Sequence, residues 1–92
     1  PLTLGARLVG VAALQNGYFV ALCNRVGQED CVNFAGESFV CDPDGVVIAR
    51  APAGEDHILH ATLDLSALDR SHARRLFLRH RRPELYAGWI AR

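Results

Sequence analysis

Apolar residues at the start of the chain recur at helical spacing. Leu4, Leu8, Val11 and Gln15 share one stripe with Leu14 beside it, which predicts an amphipathic helix over residues 2–15, weakened by Gly5 and Gly10. Asn16-Gly17 ends it, because Gly17 can take the left-handed conformation that satisfies the last carbonyls without a Cβ penalty. Tyr18 to Cys23 is an unbroken apolar run, the pattern of a strand covered on both faces. Residues 24–36 are polar and aperiodic and read as the longest loop. Phe39 to Cys41 and Val46 to Ala49 then flank Asp42-Pro43-Asp44-Gly45. Pro43 presets the first turn angle and Gly45 supplies positive φ, so these two runs form a hairpin.

After the Pro52-Ala53-Gly54 turn, residues 57–63 alternate. Leu59, Ala61 and Leu63 share one face, and a further strand is expected. Ser66-Ala67-Leu68-Asp69 resembles a capping box and predicts a helix of about ten residues. Arg79-His80-Arg81-Arg82 and Pro83 end that helix. Beyond them Leu85, Tyr86, Trp89 and Ile90 form a tail too apolar to stand in water without cover.

The chain has 92 residues, half of them apolar, which makes one small domain whose core is rich for its size and whose apolar surplus calls for neighbours. It begins at Pro1 and contains no Met, from which we expect a piece cut from a longer polypeptide. No apolar run approaches the length of a membrane span or signal segment, so an intracellular, cytoplasmic protein is expected. Charge is balanced overall but not along the chain. Residues 1–65 carry three Arg and eight acids, and residues 66–92 carry seven Arg and two acids, a net −5 followed by a net +5. This asymmetry suits a nucleic-acid arm or a tail lying across an acidic surface. Aromatic residues interleaved among the Arg are sparse before Tyr86 and Trp89, with Phe77 alone, which argues for the second. On one helix face, Arg70 and Arg74 would repel unless an acidic surface meets them.

Cys23, Cys31 and Cys41 do not have the paired spacing of zinc ligands. Cys23 and Cys41 fall within apolar strands and are expected to be buried as small hydrophobes, while Cys31 has Glu29 and Asp30 where a reactive thiolate needs a cation. His57 and His60 point to opposite faces of the expected strand and cannot chelate together. The Asp42–Gly45 run lacks calcium ligands at its later positions, Val46 and Ala53. No metal or cofactor is expected.

The run Asn16-Gly17-Tyr18-Phe19-Val20-Ala21-Leu22-Cys23-Asn24-Arg25-Val26-Gly27, then Phe34-Ala35-Gly36-Glu37-Ser38-Phe39, Asp42-Pro43-Asp44-Gly45, residues 58–65 and the ending Arg81-Arg82-Pro83-Glu84-Leu85-Tyr86 resemble the C-terminal third of the nitrilase superfamily of carbon-nitrogen hydrolases, in that family's order. His80 stands where the family commonly has Asp. The resemblance implies an α/β chain, α+β by local content, forming the C-terminal part of a four-layer α-β-β-α sandwich, with residues 1–92 a single partial domain. It also implies a Cys nucleophile, a Glu that shuttles protons and a Lys that stabilises developing charge. The chain contains no Lys, and none of its Cys has the family's flanking residues, so that set would lie upstream and the chain alone would be inactive. The substrate of the parent protein would be a small amide, carbamoyl compound or nitrile.

The loop after the Tyr18–Cys23 run would lie beside the pocket, which makes Asn24, Phe34, Gly36 and Ser38 candidates to line it. Leu85, Tyr86, Trp89 and Ile90 are candidates for contacts in a homo-oligomer. Two other classes stay open: a non-catalytic dimerisation or scaffold domain, and a module that binds nucleic acid through its Arg-rich tail.

Overall fold

A face of small residues seats the first helix. The computed structural model describes residues 4–90, without the side chain of Ile90; residues 2 and 3 of the expected helix lie outside the described residues. Helix α1, Leu4–Asn16, buries Ala6, Gly10 and Ala13, while Leu4, Leu8 and Val11 are 71, 63 and 50% exposed. The apolar stripe expected to be the packing face therefore looks outward. The reason is close approach: a Cβ on Gly10 would lie 3.0 Å from the carbonyl oxygen of Gly45, so only the glycine face lets the helix lie this near the sheet. Gly17 stops the helix as expected, at φ +65°, with its N–H donating to the Ala13 carbonyl at 2.8 Å.

Three short strands, β1 (Val20–Leu22), β4 (Phe39–Cys41) and β5 (Val47–Arg50), form an antiparallel sheet in the order β1-β4-β5. Val20 pairs with Cys41 and Leu22 with Phe39, so these four share a face, and with Ala6, Ala13, Val9 and Val47 they make the core. Ala21 points the other way and is exposed. The strand expected over Tyr18–Cys23 is thus shorter and covered on one face only, because α1 lies on that face and nothing among the described residues covers the other. Cys23 consequently lies beyond the strand and is exposed, whereas Cys41 is fully buried and Cys31 exposed.

Between β1 and β4 the expected loop is a second hairpin, β2 (Val26–Glu29) paired with β3 (Val32–Ala35). Asp30 takes φ +52° at the first position of its two-residue turn, a conformation that Asp tolerates and tight hairpins require. The β4–β5 turn is as expected. Gly45, at φ +82°, donates to the Asp42 carbonyl at 2.9 Å, and Asp42 Oδ1 accepts from the backbone N–H groups of Asp44 and Val46 at 2.9 Å each.

The alternating run 57–63 forms no strand; Ile58 is 79% exposed and no neighbouring strand offers a ladder. Ser66 does not cap a helix. It is itself helical, at φ −66° and ψ −19°, and its hydroxyl donates to Asp64 at 2.6 Å while accepting from Arg70 at 2.5 Å. Helix α2 is therefore only Ala67–Arg70, and Ser71 breaks it with ψ 150°. A π-helical turn at Ala73–Phe77, 3₁₀ turns at Leu78–His80 and Pro83–Leu85, and α3, Ala87–Ile90, complete the described residues. Among the described residues no helix is long and apolar enough to cross a membrane.

Candidate functional site

The end of β1 is stapled to the segment between β3 and β4. Asn24 donates through Nδ2 to the Gly36 carbonyl at 2.8 Å. Its backbone N–H donates to the Ser38 hydroxyl at 2.9 Å, and that hydroxyl donates back to the Asn24 carbonyl at 3.3 Å. Asn24 Oδ1 also accepts from the Arg25 N–H at 3.0 Å, so both ends of the amide hold backbone. Gly36 is buried at φ +77°, and a Cβ there would approach that of Val26 to 3.3 Å. Glu37 follows at φ +56°, an uncommon conformation for a residue with a side chain.

This staple borders an open cavity of about 370 Å³ lined by Asn24, Gly36 and Ser38, with Glu55, Asp56 and His57 from the irregular segment after β5. A second hollow of similar size shares Asn24, Gly36 and Glu37 and reaches Ala6 and Phe39. Three of the four candidate pocket residues are thus brought together. Phe34 is not with them: it faces a separate hollow beside Glu29 and Cys31, where the Arg25 guanidinium lies 4.4 Å from its ring centre and pairs with Glu29. Sequence reasoning missed Glu37, Glu55 and Asp56 and placed His57 on a strand. Glu37 was within reach, flanked as it is by Gly36 and Ser38. Among the described residues no group of three His, Cys, Asp or Glu side chains is arranged to hold a metal ion.

The tail candidates Leu85, Tyr86 and Trp89 are 61, 56 and 81% exposed, and the side chain of Ile90 lies outside the described residues. Arg70 and Arg74 do not rely on a foreign acidic surface. Arg70 reaches Asp64 at 3.3 Å and Arg74 reaches Asp69 at 3.8 Å. Hydrogen bonds from Ser66, then from Arg70, hold the Asp64 carboxyl below the usual carboxylate range. Arg82 pairs with Glu84. Arg75 and Arg81 donate instead to the backbone carbonyls of Arg70 and Leu78.

The family model described as carbon-nitrogen hydrolase matches residues 7–73. A protein of Pseudomonas protegens described as a hydrolase in the pqqF 5' region is 39% identical over 74 residues, 80% of this chain and 26% of that protein. The 2-oxoglutaramate amidase of Paenarthrobacter nicotinovorans is 32% identical over 76 residues, 83% of this chain and 26% of the amidase. The crystal structure of a carbon-nitrogen hydrolase from Helicobacter pylori G27 superposes with a TM-score of 0.74 at 32% identity, covering 95% of this chain and 32% of that one. The chain spans about a quarter of the length of these two curated relatives.

Proposed function

The chain belongs to the carbon-nitrogen hydrolase family, and from that premise we propose that it is the C-terminal segment of an enzyme that cleaves non-peptide carbon-nitrogen bonds in small amides, carbamoyl compounds or nitriles. The observation that carries this reading is the match over residues 7–73 by a chain that spans only 26% of its relative from P. protegens. In an amide, a Cys thiolate adds to the carbonyl carbon; the carbon-nitrogen bond breaks as a Glu delivers a proton to the departing ammonia, leaving a thioester. Water, deprotonated by the same Glu, hydrolyses it and frees the thiol. A Lys stabilises the charge on the tetrahedral oxygen. All three groups come from outside this chain, which has no Lys. The chain's own part is to hold the pocket wall, with Asn24, Gly36 and Ser38 locked together beside the cavity. The 2-oxoglutaramate amidase among the relatives favours a small amide as substrate.

In the same reading the sheet is one layer of a four-layer α-β-β-α sandwich, and the face that carries Ala21, Val40 and Ala49, on which Ala21 is exposed, meets a second sheet. The cytoplasm suits such an enzyme. The 92-residue chain alone is expected to release no ammonia from amides or nitriles; release abolished by replacing Cys23, Cys31 or Cys41 with Ala would overturn the assignment of the catalytic set. Joining the chain to an upstream segment that carries the Glu, Lys and Cys should restore turnover.

Self-association belongs to the proposal too. Only six hydrophobic residues are buried among those described, while Leu85, Tyr86 and Trp89 stand open, and covering such surface yields roughly 25 cal/mol per Å². Sedimentation at low micromolar concentration should show a species above monomer mass that weakens when residues 84–92 are deleted. A monomer indifferent to the deletion would argue against it.

A further inference from the structure

The two aspartates of the β4–β5 turn do different work. Asp42 closes the turn on itself, whereas Asp44 turns outward and takes two hydrogen bonds on one oxygen, from the His72 backbone N–H at 3.0 Å and from His72 Nδ1 at 2.8 Å. We propose that Asp44 and His72 form a latch that straps the Arg-rich terminal segment onto the end of α1 and the β4–β5 turn, and that this segment lifts away as a unit when the latch is opened.

The seat under the strap is small. Ser71 and Ala73 are fully buried, and they sit so close to Gly17 that a Cβ there would lie 2.9 Å from Ser71 Oγ and 3.1 Å from the Ala73 Cβ. Two such side chains bury little apolar area, and the Ser71 hydroxyl donates within its own segment, to Leu68 O at 2.8 Å. Attachment therefore leans on the carboxylate, whose hydrogen bonds are of the stronger, charge-assisted kind. Beyond the seat, Leu78 is half-buried and residues 79–89 are exposed. The radius of gyration of 16.9 Å, against roughly 12 Å for a compact chain of this length, fits a segment that adds extent with little packing.

The groups facing Asp44 are cationic or neutral save Asp42 in its own turn. His72 and Arg75 approach from the strap, and Arg7 of α1 borders the adjoining hollow. The backbone bond from His72, then its ring bond, hold the Asp44 carboxyl below the usual carboxylate range. A lowered folded value means that the latch is fully made above the ordinary carboxylate range and lost as pH falls through the lowered one, so it stays shut at neutral pH.

Limited digestion of the 92-residue chain with trypsin tests the latch, since Arg74 and Arg75 lie in the strap and Arg25 and Arg50 in the body. Asp44→Ala removes both bonds and should speed cleavage after Arg74 and Arg75 about tenfold, while His72→Ala keeps the backbone bond and should speed it by a smaller factor; both should leave cleavage after Arg25 and Arg50 unchanged, and the double variant should do no more than Asp44→Ala alone. Faster cutting at every site would mean general loosening of the fold. That outcome, unchanged rates, or additive effects in the double variant would each overturn the latch. His72→Ala lies on the strap's surface, so it stays informative if Asp44→Ala fails to fold.

Discussion

Replacing Gly45 with Ala is expected to destabilise the chain by about 2–5 kcal/mol. Two costs add at this position. Its φ of +82° is left-handed, which costs a residue with a Cβ roughly 1–2 kcal/mol. The new Cβ would also lie 2.7 Å from the Gly10 carbonyl oxygen, a backbone atom that cannot rotate aside, and overpacking of this kind costs roughly 1–3 kcal/mol. Gly54→Ala separates the two, because Gly54 has φ +76° with nothing within 4 Å of a Cβ, so only the backbone cost applies. Urea unfolding followed by circular dichroism, with equal m values, gives the comparison. Equal losses for the two variants would mean that α1 does not press on the turn.

Phe39→Ala should cost about 3–5 kcal/mol, since Phe39 is 4% exposed and joins α1 to the sheet. Against the total stability of roughly 5–15 kcal/mol usual for a domain, that is enough to leave much of the chain unfolded. Leu8→Gln is the informative partner. Leu8 carries as large an apolar side chain as many core residues, yet at 63% exposure its replacement should change stability by no more than about 0.5 kcal/mol. A large loss for Leu8→Gln with a small one for Phe39→Ala would mean that α1 presents its other face to the sheet.

The features legible in the sequence are those whose physics is local. The Asp42–Gly45 turn needs only a fixed φ at Pro43, a positive φ at Gly45 and an Asp42 side chain that reaches two and four residues ahead. The stop at Gly17 needs only a left-handed residue after the last helical turn. Family membership was legible for a related reason, because short runs such as residues 16–27 and 34–39 keep their order and spacing whatever surrounds them. Asn24, Gly36 and Ser38 were named from those runs, and the structure gathers them at one cavity. Phe34, on the β2–β3 hairpin, goes elsewhere because its ring stacks under Arg25.

Sequence by itself therefore determined where the chain turns, where its first helix stops and which family it joins. Tertiary structure alone decided which face of α1 is buried, since a contact between Gly10 and Gly45 outweighs the pull of a leucine stripe. It also decided that residues 26–35 pair as a hairpin while 57–63, with the better alternation, find no partner strand. The break after Arg70, where Ser71 leaves the helix and His72 reaches Asp44, 28 residues back, belongs with these. Each depends on atoms far apart in the chain, whose meeting no local pattern encodes.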